Sequence, residues 1–238
     1  MTATTPASPV DVRDALDALV RAGVDWGLGR GTPRATRTVA STSAGPVRGS
    51  AGVVRPAAVL VLFGPVEGRV GRGPADLDVL LVERAASLGH HPGQIAFPGG
   101  RLDPGDAGPV GAALREATEE TGLDATGVDV VGTLAGLPLP VSNHVVTPVL
   151  AWWERPSPVG VVDHGECAAV FRVPVSELID PTNRRLARVT RGTTALESPG
   201  FVVGGHVVWG FTGIVLDRVL DGLGWARPWE PQVLDIPI

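Results

Sequence analysis

Gly99-Gly100-Arg101-Leu102-Asp103-Pro104-Gly105-Asp106 leads through Ala107 and Gly108 into Pro109-Val110-Gly111-Ala112-Ala113-Leu114-Arg115-Glu116-Ala117-Thr118-Glu119-Glu120-Thr121-Gly122-Leu123. Pro109 suits a first helical turn and Gly122 a C-terminal stop, so a helix is predicted over 109–121. At about 100° per residue, Arg115, Glu116, Glu119 and Glu120 fall within an arc of about 140°. Val110, Ala113, Leu114, Ala117 and Thr121 fill the adjoining arc, so the helix buries a small-residue face and presents three carboxylates together. Glu116 and Glu120 are four apart, where like charges destabilise a helix. A divalent cation between them would remove that repulsion, and clustered hard oxygens suit Mg²⁺ or Mn²⁺. Arg115 and Glu119 have the spacing of an ion pair. The same residues could instead be a solvated helix face, but the Gly-Gly turn ahead of them favours a site.

Outward from this stretch, residues 57–63, 78–83, 94–97, 128–137, 145–153, 168–173 and 201–209 read as strands. A second helix is expected over about 211–222, and another over 11–22 with Asp11 as its N-cap and Gly23 as its stop. Strand groups with few helices point to an α+β fold, a mixed sheet covered by helices. Residues 27–54, rich in Gly, Ser, Thr and Arg, read as linker. The chain is therefore divided into a helical extension and linker, 1–54, and an organised domain, 55–238.

Composition narrows the classes. The 238 residues are 44% hydrophobic and 19% charged, which is globular and not disordered. A net charge of −5 leaves no basic excess to neutralise a nucleic-acid backbone. All 20 basic residues are Arg, a bias from which no function is drawn. The lone Cys167 sits in an apolar run and reads as a buried small side chain. The N-terminus shows no basic and apolar signal regions, and no segment approaches a membrane span, so a cytoplasmic protein without membrane contact is expected.

The segment 100–123 resembles the box of the Nudix hydrolases: Gly, five residues, Glu, seven residues, Arg-Glu, two residues, Glu-Glu, one residue, Gly. Arg115-Glu116, Glu119-Glu120 and Gly122 match. Asp106 stands in place of the first Glu, and eight residues separate it from Arg115. The resemblance implies a Nudix fold and pyrophosphatase activity on phosphoanhydride bonds, with a small nucleotide as substrate. It implies Glu116 and Glu120 as principal metal ligands, with Glu119 binding metal or positioning water. Arg115 would orient Glu119, the Gly100 region would supply a backbone oxygen, and Gly99 would belong to the same substrate-lining turn. Asp106 would join the site or cap the loop–helix junction.

Both departures occur in the coenzyme A pyrophosphatase-like branch, whose upstream signature the run Leu80–Gly100 also resembles. Arg84, Leu88, His91, Gly93, Phe97 and Pro98 fall in register. Arg55-Pro56-Ala57-Ala58-Val59-Leu60, Glu166-Cys167-Ala168-Ala169-Val170-Phe171-Arg172-Val173-Pro174 and Val208-Trp209-Gly210-Phe211-Thr212-Gly213 resemble further stretches of that branch, which together span about 55–222. The branch implies hydrolysis of coenzyme A or acyl-coenzyme A to 3′,5′-ADP and a phosphopantetheine product, with Arg84 and His91 touching substrate. Gly89 replaces an Arg of the signature, so weak reading of the 3′-phosphate is expected. Rival readings are a pyrophosphatase for a nucleotide sugar or dinucleotide such as ADP-ribose or NADH, and a non-catalytic nucleotide sensor. The retained, mutually repelling glutamates disfavour the sensor.

Other residues stay open. His91 could hold its own loop. Glu166 is a further ligand or base, or a strand-edge charge. Of Trp152 and Trp153, one should face the core. The Pro-flanked tail with Trp225 and Trp229 would cover the core or a second copy in a homodimer.

Overall fold

The computed structural model describes residues 12–27, 55–69, 71–87, 93–139 and 143–237. The elements run α1 (Val12–Ala22), β1 (Arg55–Pro65), β2 (Leu77–Arg84), β3 (Ile95–Ala96), β4 (Gly99–Arg101), α2 (Gly108–Thr121), β5 (Val128–Thr133) and β6 (Leu137–Leu139). There follow β7 (His144–Trp153), β8 (Cys167–Pro174), a short α3 (Val175–Leu178), β9 (Arg184–Arg191), β10 (Thr194–Val203), β11 (His206–Val208), α4 (Gly210–Gly222) and β12 (Val233–Asp235).

The main sheet has the order β3-β2-β1-β7-β5, with β4 on β1, β6 on β7 and β8 on β2. β1 and β7 are parallel and its other pairings are antiparallel. This is the mixed sheet expected. From Ala57 to Phe63 β1 is apolar because both of its faces are covered there. Ala58, Leu60 and Leu62 point to α2 and meet Ala112, Ala113 and Ala117, while Val61 and Phe63 point to the other side. There they share a core with Leu16 and Leu19 of α1 and with Val215, Leu216, Val219 and Leu220 of α4. α1 is thus part of the main core. Leu16 is fully buried, and Trp26 beyond the helix donates its indole N–H to Ala135 O at 2.9 Å.

A second sheet, β11-β10-β9-β12, closes that same core with Phe201, Val203 and Val208. It corrects the expected strand boundaries. β9 and most of β10 lie where no strand was expected. The run 201–209 is two strands joined through Gly204 and Gly205, both with positive φ. Likewise 128–137 divides into β5 and β6, with a bulge between Val130 and Gly132. In β9, Arg184 is buried between the rings of Phe201 and Trp229 and pairs with Asp217.

α2 and α4 fall where expected. Gly122 ends α2 in the left-handed conformation and donates its N–H to Thr118 O at 2.9 Å. α1 ends at Gly23 as expected, whereas Asp11 lies outside the described residues. Trp153 is fully buried and Trp152 half-buried. Trp225 covers the core by an edge contact on Phe63 at 6.0 Å. No helix among the described residues is long and apolar enough to cross a membrane.

Candidate active site

The site forms where α2 packs against the turn that carries β4. The pairing of β4 with β1 sets Gly99 opposite Val59 and Gly100 opposite Ala58. A Cβ on Gly99 would sit 2.4 Å from Ala58 O, so only glycine allows that approach. A Cβ on Gly100 would sit 2.4 Å from Glu116 Oε1, so the Glu116 carboxylate lies directly over that backbone. Gly99 N–H donates to Glu120 Oε2 at 3.0 Å.

Glu120 is 3% exposed. Burial, assisted by the neighbouring Glu116 charge, pushes its carboxyl up to about 7 against the Gly99 hydrogen bond. Burial also raises the Glu116 carboxyl, opposed by Arg115. The third member is Glu166, exposed in the turn before β8. One oxygen each from Glu116, Glu120 and Glu166 can be chosen so that all lie within 4.8 Å of one another.

Glu166 reaches the site because its loop is tied to the end of α2. Gly160 N–H donates to Thr121 O at 3.0 Å, and Val162 N–H to Glu120 O at 3.2 Å. These bonds satisfy carbonyls that a helix end otherwise leaves without a partner. Glu166 O then accepts from Ala85 N–H at 2.8 Å.

Arg115 organises the outer half. Its Nε donates to Asp106 Oδ1 at 2.9 Å and its Nη2 to Asp106 Oδ2 at 3.1 Å, a bidentate pair. Nη1 donates to Glu119 Oε2 at 2.9 Å and to Glu116 Oε1 at 3.1 Å, and Nη2 reaches Arg101 O at 3.1 Å. The guanidinium is held firmly protonated, chiefly by Asp106. The Arg115–Glu119 pair is the one expected from spacing.

Asp106 neither caps α2 nor joins the carboxylate cluster. The cap position is Ala107, which has no side-chain cap bond. Asp106 instead accepts from Asp103 N–H at 2.7 Å and from Arg115, which keeps its carboxyl below the usual range. Glu119 also stands apart from the three clustered carboxylates and is held on Arg115.

Arg84, at the end of β2, lies close enough to Glu120 to lower its carboxyl by charge. No hydrogen bond or ion pair engages the Arg84 side chain among the described residues. His91 and Gly89 lie outside the described residues. Cys167 is buried, and its thiol is pushed up to about 12, mainly by burial. It is therefore inert as a nucleophile at neutral pH.

The donor set fits a divalent cation. Three carboxylates in this arrangement repel, and burial disfavours the charge on two of them. Arg115 reaches only Glu116 of the three by a hydrogen bond. All-oxygen donors select a hard ion.

The NUDIX domain family matches residues 55–192. The Nudix hydrolase NudL of Photorhabdus laumondii is 34% identical over 145 residues, covering 59% of this chain and 74% of that one. NudL of Cronobacter sakazakii is 42% identical over 125 residues, covering 52% and 60%. Nudix hydrolase 3 of Caenorhabditis elegans is 33% identical over 157 residues, covering 60% and 65%. The chain therefore spans less than two thirds of the length of the last two relatives.

Proposed function

Because the chain belongs to the NUDIX domain family and is a Nudix hydrolase, we propose that it cleaves the diphosphate of coenzyme A or an acyl-coenzyme A. The observation that carries the chemistry is the convergence of Glu116, Glu120 and Glu166 beside the Gly99–Gly100 turn. The resemblance of Leu80–Gly100 to the coenzyme A branch supports the substrate.

In this reading Glu116, Glu120 and Glu166 would hold Mg²⁺ or Mn²⁺ beside the Gly100 backbone. A bound divalent cation neutralises diphosphate oxygens and acidifies water. The substrate diphosphate lies along the Gly99–Gly100 turn, and Arg84, which no carboxylate among the described residues engages, offers it a guanidinium. Water attacks one phosphorus, the bridging P–O bond breaks, and the departing phosphate keeps the electron pair. Glu119, fixed by Arg115, orients that water and receives its proton. Arg115 acts through Glu119 and is a positioning residue. Residues 55–238 form the catalytic unit, with α1 of the extension completing its core.

The test is product analysis on coenzyme A, acyl-coenzyme A, NADH, ADP-ribose and dinucleoside polyphosphates. Release of 3′,5′-ADP from coenzyme A supports the proposal. Turnover of ADP-ribose or NADH alone replaces it with the dinucleotide reading. Tight nucleotide binding without any turnover replaces it with a sensor.

A further inference from the structure

The rim of the main sheet behind the carboxylates carries two arginines that no carboxylate among the described residues pairs with. β1 begins at Arg55, which is paired with His144 of β7, and Ala57 two residues on is paired with Arg101 of β4. Side chains alternate along a strand, and paired residues share a face. Val61 and Phe63 fix the face of the odd β1 positions as the one toward α4. Arg55, Arg101 and His144 therefore share that face at one end of the sheet. Gly100, adjacent to Arg101, turns the opposite way, onto Glu116.

Strand spacing places the Arg55 and Arg101 Cα atoms roughly 8 Å apart, within joint reach of one phosphate. Both arginines are exposed and His144 is half-buried. Among the described residues none of the three makes a side-chain hydrogen bond or ion pair. By contrast Arg13, Arg69, Arg115, Arg172, Arg184 and Arg188 all sit on carboxylates. In a chain of net charge −5, two neighbouring unpaired arginines call for an anion from outside. Paired guanidiniums match a phosphate monoester, which offers three oxygens and close to two negative charges near neutral pH.

We infer that Arg55, Arg101 and His144 form a second anion subsite, which takes a phosphate monoester on the ribose of the substrate. The inference rests on the hydrolase reading, in which the diphosphate lies at the carboxylate cluster and the nucleoside passes over the β4 rim. It reverses the weak reading of the 3′-phosphate expected from Gly89, since the charge comes from strands distant in sequence.

The test is calorimetric titration of the full chain with 3′,5′-ADP, 2′,5′-ADP and 5′-AMP in Mg²⁺. One bisphosphate should bind at least about tenfold more tightly than 5′-AMP, and the preferred isomer identifies the ribose position read. That advantage should fall below about threefold in the Arg55→Ala/Arg101→Ala protein and return in part with Lys at both positions. Arg101→Ala alone, which leaves the first residue of β1 in place, should lose part of it. Thermal melting of each variant reports folding separately. Binding of all three nucleotides within about threefold would overturn the inference, as would a tenfold advantage that survives in the double variant. Failure of the hydrolase reading looks different: no turnover of coenzyme A, with the bisphosphate advantage and its arginine dependence intact. Equal kcat/KM for coenzyme A and dephospho-coenzyme A, without any bisphosphate advantage, overturns the subsite and leaves the hydrolase reading standing.

Discussion

Gly99 N–H donates to Glu120 Oε2 at 3.0 Å, across a turn and most of a helix. The bond fixes the deepest carboxylate of α2 to the β4 strand, and β4 takes its own position from β1. Sheet register, not the helix alone, therefore decides where the Glu120 carboxylate oxygens lie.

Removing the Glu120 charge should separate activity from stability. Glu120→Gln should lower kcat by about two orders of magnitude or more, and EDTA should abolish turnover of the native chain. The same substitution should leave the metal-free protein as stable as the parent or more so, because a buried charge is replaced by a neutral isostere. Kinetics and chelated thermal melts check both halves. Full turnover in EDTA would remove the metal from the mechanism.

Burial moves the Glu120 carboxyl from 4.5 to about 7, and this gives metal-free stability a pH slope. Between those values the folded chain holds a proton that the unfolded chain releases. Unfolding free energy then falls as pH rises, by on the order of 3 kcal/mol across the window. Chelated protein should melt at a higher temperature at pH 5 than at pH 8. Mg²⁺ should stabilise more strongly at pH 8, since below about 7 a proton competes for the site. Metal stabilisation that is flat from pH 5 to 8 would contradict this.

Arg115→Ala strips Asp106, a largely buried carboxylate, of its bidentate partner and frees Glu119. A loss of stability is expected, smaller than for a fully enclosed pair because Arg115 is partly exposed. A fall in kcat of about tenfold or more should accompany it. Asp106→Asn should reproduce the stability loss with a smaller kinetic effect. Denaturant melts and steady-state assays on both variants decide it.

Adjacent glycines should fail in different ways. At Gly99 a methyl group meets the Ala58 carbonyl, which cannot move without the sheet, so Gly99→Ala should destabilise by about 1–3 kcal/mol or more. At Gly100 the methyl group meets the movable Glu116 carboxylate. Gly100→Ala should therefore weaken Mg²⁺ binding about tenfold or more with a smaller change in melting temperature. Equal stability losses in the two variants would reject the distinction.

Leu16→Ala, far from the carboxylates, should cost about 2–5 kcal/mol, because α1 fills the main core. A change under about 0.5 kcal/mol would show that α1 is dispensable.

Local chemistry was legible in the sequence and long-range placement was not. β1, β2, β7 and α2 announce themselves because their burial produces long apolar runs or a clear helical period. The hairpin β9–β10 hides because Arg184 and Arg188 look solvated, while the structure buries Arg184 between two aromatic rings. The division of 201–209 was recoverable, since Gly204-Gly205 between apolar runs is a hairpin signal. At the site, the Arg115–Glu119 pair follows from helical spacing alone. The attachment of Asp106 to Arg115, the delivery of Glu166 and the alignment of Arg55 with His144 all depend on how distant segments pack.

The two hydrogen bonds from Gly160 and Val162 to the end of α2 divide the surface loop into unequal parts. Ahead of Gly160 the chain is held instead to the turn before β5, where Arg155 N–H donates to Gly127 O at 3.1 Å and Asp124 N–H donates to Ser157 Oγ at 3.2 Å. From Gly160 to Glu166 every residue counts, because one inserted there would carry Glu166 out of reach of Glu116 and Glu120. Gly160 thus marks where the attachment of this loop passes from the turn before β5 to the end of α2.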